Sequence, residues 1–114
     1  DLSVLDQTTP QRISEAVSSA TAAELTKMMV STVDRGTATP AAIPGVDVAG
    51  KTGTAQSAEG RPPYAWFVSF APANDPKVAV AVMVESSETA PAEIAGGRLG
   101  GPIAKAIMET VINR

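Results

Sequence analysis

Gly45-Val46-Asp47-Val48-Ala49-Gly50-Lys51-Thr52-Gly53-Thr54-Ala55-Gln56 admits two readings, and the choice between them decides the fold. Its first eight residues satisfy the P-loop spacing of Gly, four residues, then Gly-Lys-Thr. A phosphate loop needs a strand before its first glycine and a helix opening at the lysine, because amide N–H groups and the helix dipole hold the phosphate. Neither context is present. Pro40 and Pro44 precede Gly45, while Gly53, Gly60, Pro62 and Pro63 follow the lysine. Residues 47–56 are therefore expected as a strand and not as a nucleotide cradle.

In such a strand Lys51 and Gly53 project to one side, and Thr52 and Thr54 to the other. A single ligand meets all of them only along the strand's edge. Gly53 leaves the backbone open to close approach. The edge N–H and C=O groups are free to pair with an extended peptide as an added strand. A peptide ending in a carboxylate would then meet two threonine hydroxyls, with the positive charge of Lys51 nearby. Lys51, Thr52, Gly53 and Thr54 are the candidate catalytic residues, and Thr52, Thr54 and Gln56 the candidate substrate contacts.

Outward from this strand, the order reads helix, three strands, helix. Ser18 suits an N-cap for a helix over 19–34, with Ala22, Leu25, Met28, Met29 and Val33 as its apolar stripe and Gly36 just past its end. Residues 12–17 read as a short extended segment. After the strand at 47–56, the Pro62-Pro63 pair forces a break. Residues 64–71 and 78–85 then form an antiparallel hairpin across Asn74-Asp75-Pro76. In the last strand Val78, Val80, Val82 and Val84 alternate with Ala79, Ala81 and Met83. Both faces are apolar and both should be covered. A helix over 98–112, with Pro102 in its first turn and Ile103, Ile107, Val111 and Ala106 facing inward, supplies one cover. The fold class is α/β of the α+β type, an antiparallel sheet with helices on both faces. A three-stranded sheet is too narrow to close such a domain, so an edge is expected to pair with strands outside this chain.

Composition excludes several classes. The 114 residues are 44% hydrophobic and 18% charged, which argues against disorder. A net charge of −3 is unlike a nucleic-acid binder. No apolar run approaches the ~20 residues of a membrane span. With no cysteine, disulfides and thiolate metal sites are ruled out, and with no histidine the commonest remaining metal ligand is gone. The lack of cysteine also suits an extracytoplasmic setting.

Lys51-Thr52-Gly53 is also one of the three signature elements of serine transpeptidases and serine β-lactamases, beside Ser-x-x-Lys and a Ser-x-Asn triplet. The flanking residues extend the match. Ile43-Pro44-Gly45-Val46 through Ala55-Gln56, the preceding Val33-Asp34-Arg35-Gly36-Thr37-Ala38, the following Ala65-Trp66-Phe67-Val68-Ser69-Phe70-Ala71-Pro72, and Pro102-Ile103-Ala104-Lys105-Ala106-Ile107-Met108 all resemble penicillin-binding transpeptidases. The likeness is strongest to monofunctional members. It implies a serine enzyme acting on D-alanyl-D-alanine stem peptides of peptidoglycan and acylated by β-lactams, with no metal or organic cofactor. Lys51 would polarise the proton-shuttling serine, Thr52 and Thr54 would hold the terminal carboxylate, and the Thr54 N–H would be an oxyanion donor. The family is typically held outside the membrane by an N-terminal anchor.

One departure is large. No serine in the chain has lysine at the third position after it or asparagine at the second. Nucleophile, base and triplet are expected on an upstream segment, with this chain as the C-terminal part of the domain and inactive alone. Rival readings are a D,D-carboxypeptidase or serine β-lactamase of the same fold, a penicillin-sensing receptor domain, and a peptide-binding module. Trp66 is expected in core or supporting packing, Arg61 in a solvated loop, and Glu85, Glu88 and Glu93 as surface charge.

Overall fold

The computed structural model describes residues 3–56, 59–85 and 96–114. Helix α1 (Ser19–Arg35) opens on Ser18, whose hydroxyl accepts from the Thr21 N–H at 3.2 Å. Such a cap contributes about 1 kcal/mol. Gly36 closes the helix, its N–H donating to the Thr32 carbonyl at 3.0 Å. A short 3₁₀ turn at Thr39–Ala41 leads to strands β1 (Ala49–Ala55), β2 (Tyr64–Ala71) and β3 (Val78–Glu85). A π-helical turn, Gly96–Gly100, runs into helix α2 (Gly101–Ile112), with Pro102 in its first turn.

The sheet is antiparallel in the order β1-β2-β3. Thr52 lies opposite Phe67, and Phe67 opposite Val82. One face therefore carries Thr52 and Thr54, then Ala65, Phe67, Ser69 and Ala71, then the four β3 valines. The other carries Lys51 and Gly53, then Trp66, Val68 and Phe70, then Ala79, Ala81 and Met83. The expected antiparallel sheet with helices is thus present.

Its core lies on the Phe67 face, where Val33 of α1 and Ala104 and Met108 of α2 meet Val48, Phe67 and Ala71. Full burial of a side chain the size of Phe67 contributes roughly 1.5–3 kcal/mol. Gly100 makes the close approach possible: a Cβ there would stand 2.7 Å from the Phe67 Cβ. Both helices pack on this one face. The other face is covered only at its Ala49 end, where Ala49 is buried; among the described residues the rest of it is open, with Val68 40% and Met83 48% exposed.

Three expectations need correction. In α2 the inward residues are Gly101, Ala104 and Met108, while Ile103, Ala106, Ile107 and Val111 are exposed. Small residues face in at the start of α2 because the chain there, at Gly100 and Gly101, lies close against Phe67 and Pro40. In α1 only the C-terminal half reaches the sheet, so Ala22, Leu25 and Met28 are exposed and Val33 alone is fully buried. Residues 12–17 form no strand; they lie with residues 3–11 as an exposed segment carrying no helix or strand. Residues 86–95, Glu88 and Glu93 among them, lie outside the described residues, as do residues 57 and 58.

Candidate active site

β1 pairs with β2 on one side only, which leaves its outer edge without a strand partner among the described residues. Two threonines at alternate positions favour the extended backbone and share the helix-covered face. Thr52 is half-buried, and its Cγ2 methyl would stand 3.5 Å from a Cβ on Gly97. Its hydroxyl lies 3.0 Å from the hydroxyl of Thr37. Thr54, next on that face, is exposed. On the opposite face Lys51 folds along its own strand and donates from Nζ to the Thr52 carbonyl at 2.8 Å. Among the described residues it forms no ion pair.

The end of α1 fastens this strand. Thr32 sets its hydroxyl between the Met29 carbonyl, at 2.8 Å, and the carbonyl of Gly50. The Thr32 carbonyl accepts from both Gly36 and Ala38, at 3.0 and 3.1 Å, and this tight exit carries Thr37 over Thr52. In an antiparallel ladder, residues 50, 52 and 54 turn their backbone groups to the same edge. The first two carbonyls are engaged by Thr32 and Lys51, neither of which belongs to β2. That edge is therefore the outer one, and Thr54 presents its N–H and C=O there.

A cleft of about 380 Å³ is lined by Thr37, Lys51, Thr52, Gly53 and Thr54. The structure so brings together four of the five candidate site residues. Gln56 lies beyond the end of β1, exposed, and does not line the cleft. Thr37 was not expected there. Its signal was the Gly36-Thr37 pair, a helix stop followed at once by a hydroxyl. Trp66 is 37% exposed on the Lys51 face rather than packed, because no described element covers that face around it. Arg61 and Glu85 are exposed, as expected.

The family described as the penicillin binding protein transpeptidase domain matches residues 2–109. The chain belongs to that family. Among transpeptidase relatives, the peptidoglycan D,D-transpeptidase PbpA of Mycolicibacterium smegmatis is 43% identical over 98% of this chain and 23% of its own length. The crystal structure of PBPA from Mycobacterium tuberculosis superposes with a TM-score of 0.73 at 38% identity, covering 94% of this chain and 26% of that one. A ceftriaxone acyl-enzyme complex of the M. tuberculosis protein matches with a TM-score of 0.73 at 40% identity, over 94% and 24% of the two chains. The chain thus spans about a quarter of the length of these transpeptidases.

Proposed function

We propose that this chain is the C-terminal part of a peptidoglycan D,D-transpeptidase domain and supplies its substrate-binding edge. One observation carries the proposal: the hydroxyls of Thr52 and Thr54, the Lys51 ammonium and the outward backbone of Thr54 converge on one cleft beside an unpaired strand edge. An acyl-D-alanyl-D-alanine peptide fits that edge as an added strand. Its terminal carboxylate meets the two threonine hydroxyls, and the charge of Lys51 favours the anion.

In this reading a serine on an upstream segment attacks the penultimate D-alanine carbonyl. The peptide bond breaks, the terminal D-alanine leaves as the free amine with the serine's proton, and an acyl-serine remains. A neighbouring stem peptide's amine then takes the acyl group and restores the serine. Thr54 N–H is one of two donors to the oxyanion in both steps; losing such a donor typically costs about 10²–10³ in rate. Lys51 polarises the shuttling serine of the upstream Ser-x-Asn triplet. Gly53 keeps that side of the strand low, and Gln56 contacts the peptide farther along. A β-lactam enters as a mimic of the peptide and acylates the same serine by ring opening, with nothing leaving. The reaction acts on peptidoglycan, outside the membrane, and an N-terminal segment is assigned the anchor. Among the described residues no helix is long and apolar enough to cross a membrane.

The full-length protein, incubated with fluorescent penicillin and then with a D-alanyl-D-alanine donor and an amine acceptor, should label stably and form the cross-linked amide. The 114-residue chain alone should not label. Labelling of the chain alone would remove the nucleophile from the upstream segment. Hydrolysis without transfer would move the assignment to a carboxypeptidase or β-lactamase, and stable labelling without turnover to a sensor.

A further inference from the structure

We propose that Thr37 is a positioning residue of the carboxylate seat, acting through Thr52. The assignment rests on the transpeptidase reading above and adds a residue to it. A threonine hydroxyl has one proton and two acceptor lone pairs. To serve a carboxylate, Thr52 must aim its single proton at the anion, and its oxygen then gains from a donor behind it. Thr37 Oγ1 stands in that place, 3.0 Å from Thr52 Oγ1 and on the wall of the same cleft.

Without an anion, either hydroxyl of the pair is able to donate to the other. A carboxylate accepts only, so its arrival selects one direction: Thr37 donates to Thr52, and Thr52 donates to the carboxylate. Hydrogen bonds to an ionised acceptor are the stronger kind, and a chain of donors polarises along its length. Thr37 is held independently of this bond. Gly36 and Ala38 both donate to the Thr32 carbonyl, and Gly97 lies against the Thr37 carbonyl so closely that a Cβ there would stand 2.3 Å away. The hydroxyl is therefore presented by its backbone before any ligand enters.

The test uses the full-length protein and two β-lactams that differ only in whether the ring carboxylate is free or methyl-esterified. Thr37→Val keeps the shape and deletes the hydroxyl. Acylation by the free acid should slow about three- to ten-fold, the range of one net hydrogen bond, while acylation by the ester changes less than about two-fold. Thr37→Ser, which restores the hydroxyl without the methyl, should recover the wild-type rate with the acid. In a Thr52→Val background, Thr37→Val should add nothing. If T37V melts well below wild type, T37S against Thr37→Ala carries the same comparison.

An unaltered acid rate in T37V, or an equal slowing with acid and ester, overturns the assignment while leaving the transpeptidase reading intact. A wild type that takes up neither β-lactam overturns that reading, and this assignment with it.

Discussion

A β-carbon on Gly97 would stand 2.3 Å from the carbonyl oxygen of Thr37, a separation no side chain tolerates. The turn that begins α2 is thereby pressed onto the end of α1, and Thr52 sits under both. Substituting Gly97 by alanine forces one of the three to move. In the full-length protein Gly97→Ala should lower stability by about 1–3 kcal/mol, the usual range for overpacking. Penicillin acylation should fall with it, since Thr37 and Thr52 share the displaced contact. Denaturant melts together with labelling rates check this; a variant unchanged in both would mean the turn yields without touching the cleft.

Lys51 should behave differently. It is exposed, so Lys51→Ala should leave the melt within about 0.5 kcal/mol of wild type. Acylation by penicillin should nevertheless drop at least about 10²-fold, the scale of losing one electrostatic stabiliser of the reacting centre. A stability loss as large as the rate loss would place the lysine in packing instead.

Ser69 is 3% exposed, and among the described residues its hydroxyl has no hydrogen-bond partner. It faces Gly50 and Val80 inside the covered side of the sheet. Removing an unsatisfied buried hydroxyl relieves a desolvation cost of about 1–3 kcal/mol, offset by the lost atom's packing. Ser69→Ala should therefore be neutral or stabilising by up to about 1 kcal/mol, with labelling unchanged. A clear loss of stability would reveal a partner for the hydroxyl.

The 114-residue chain on its own should self-associate. Trp66, Val68 and Met83 lie exposed on the sheet's second face, Ile103, Ile107 and Val111 on the outer side of α2, and among the described residues neither sheet edge has a strand partner. Light scattering of the purified chain should show oligomers. Val68→Lys with Met83→Lys should raise solubility, and a soluble monomer that melts cooperatively would contradict the expectation.

Much of this was legible before any coordinates. The prolines around Gly45-Val46 and after Thr54 disposed of the phosphate-loop reading, and strand periodicity put Lys51 and Thr52 on opposite faces. The face of α2 was misread for a physical reason. Periodicity alone offers Ile103-Ile107-Val111 and Gly101-Ala104-Met108 as rival stripes, and hydrophobicity favours the first. Close packing against Phe67 selects the smaller residues, and that depends on a distance the sequence does not contain. The same holds for Thr37. Its contact with Thr52 spans a 3₁₀ turn and a loop, and only the tight exit from α1 makes them neighbours. The apolar neighbours of Trp66 along the chain suggest packing, but those neighbours alternate faces.

The fastening of β1 to α1 also has a bearing on how anything docks. Gly50 and Thr52 already spend their outward carbonyls on Thr32 and Lys51. The rim is therefore not a uniform template along which a visiting strand slides freely. Among the described residues Thr54 offers the first vacant berth, so the alignment of a guest is chosen by the host's own side chains before the two meet.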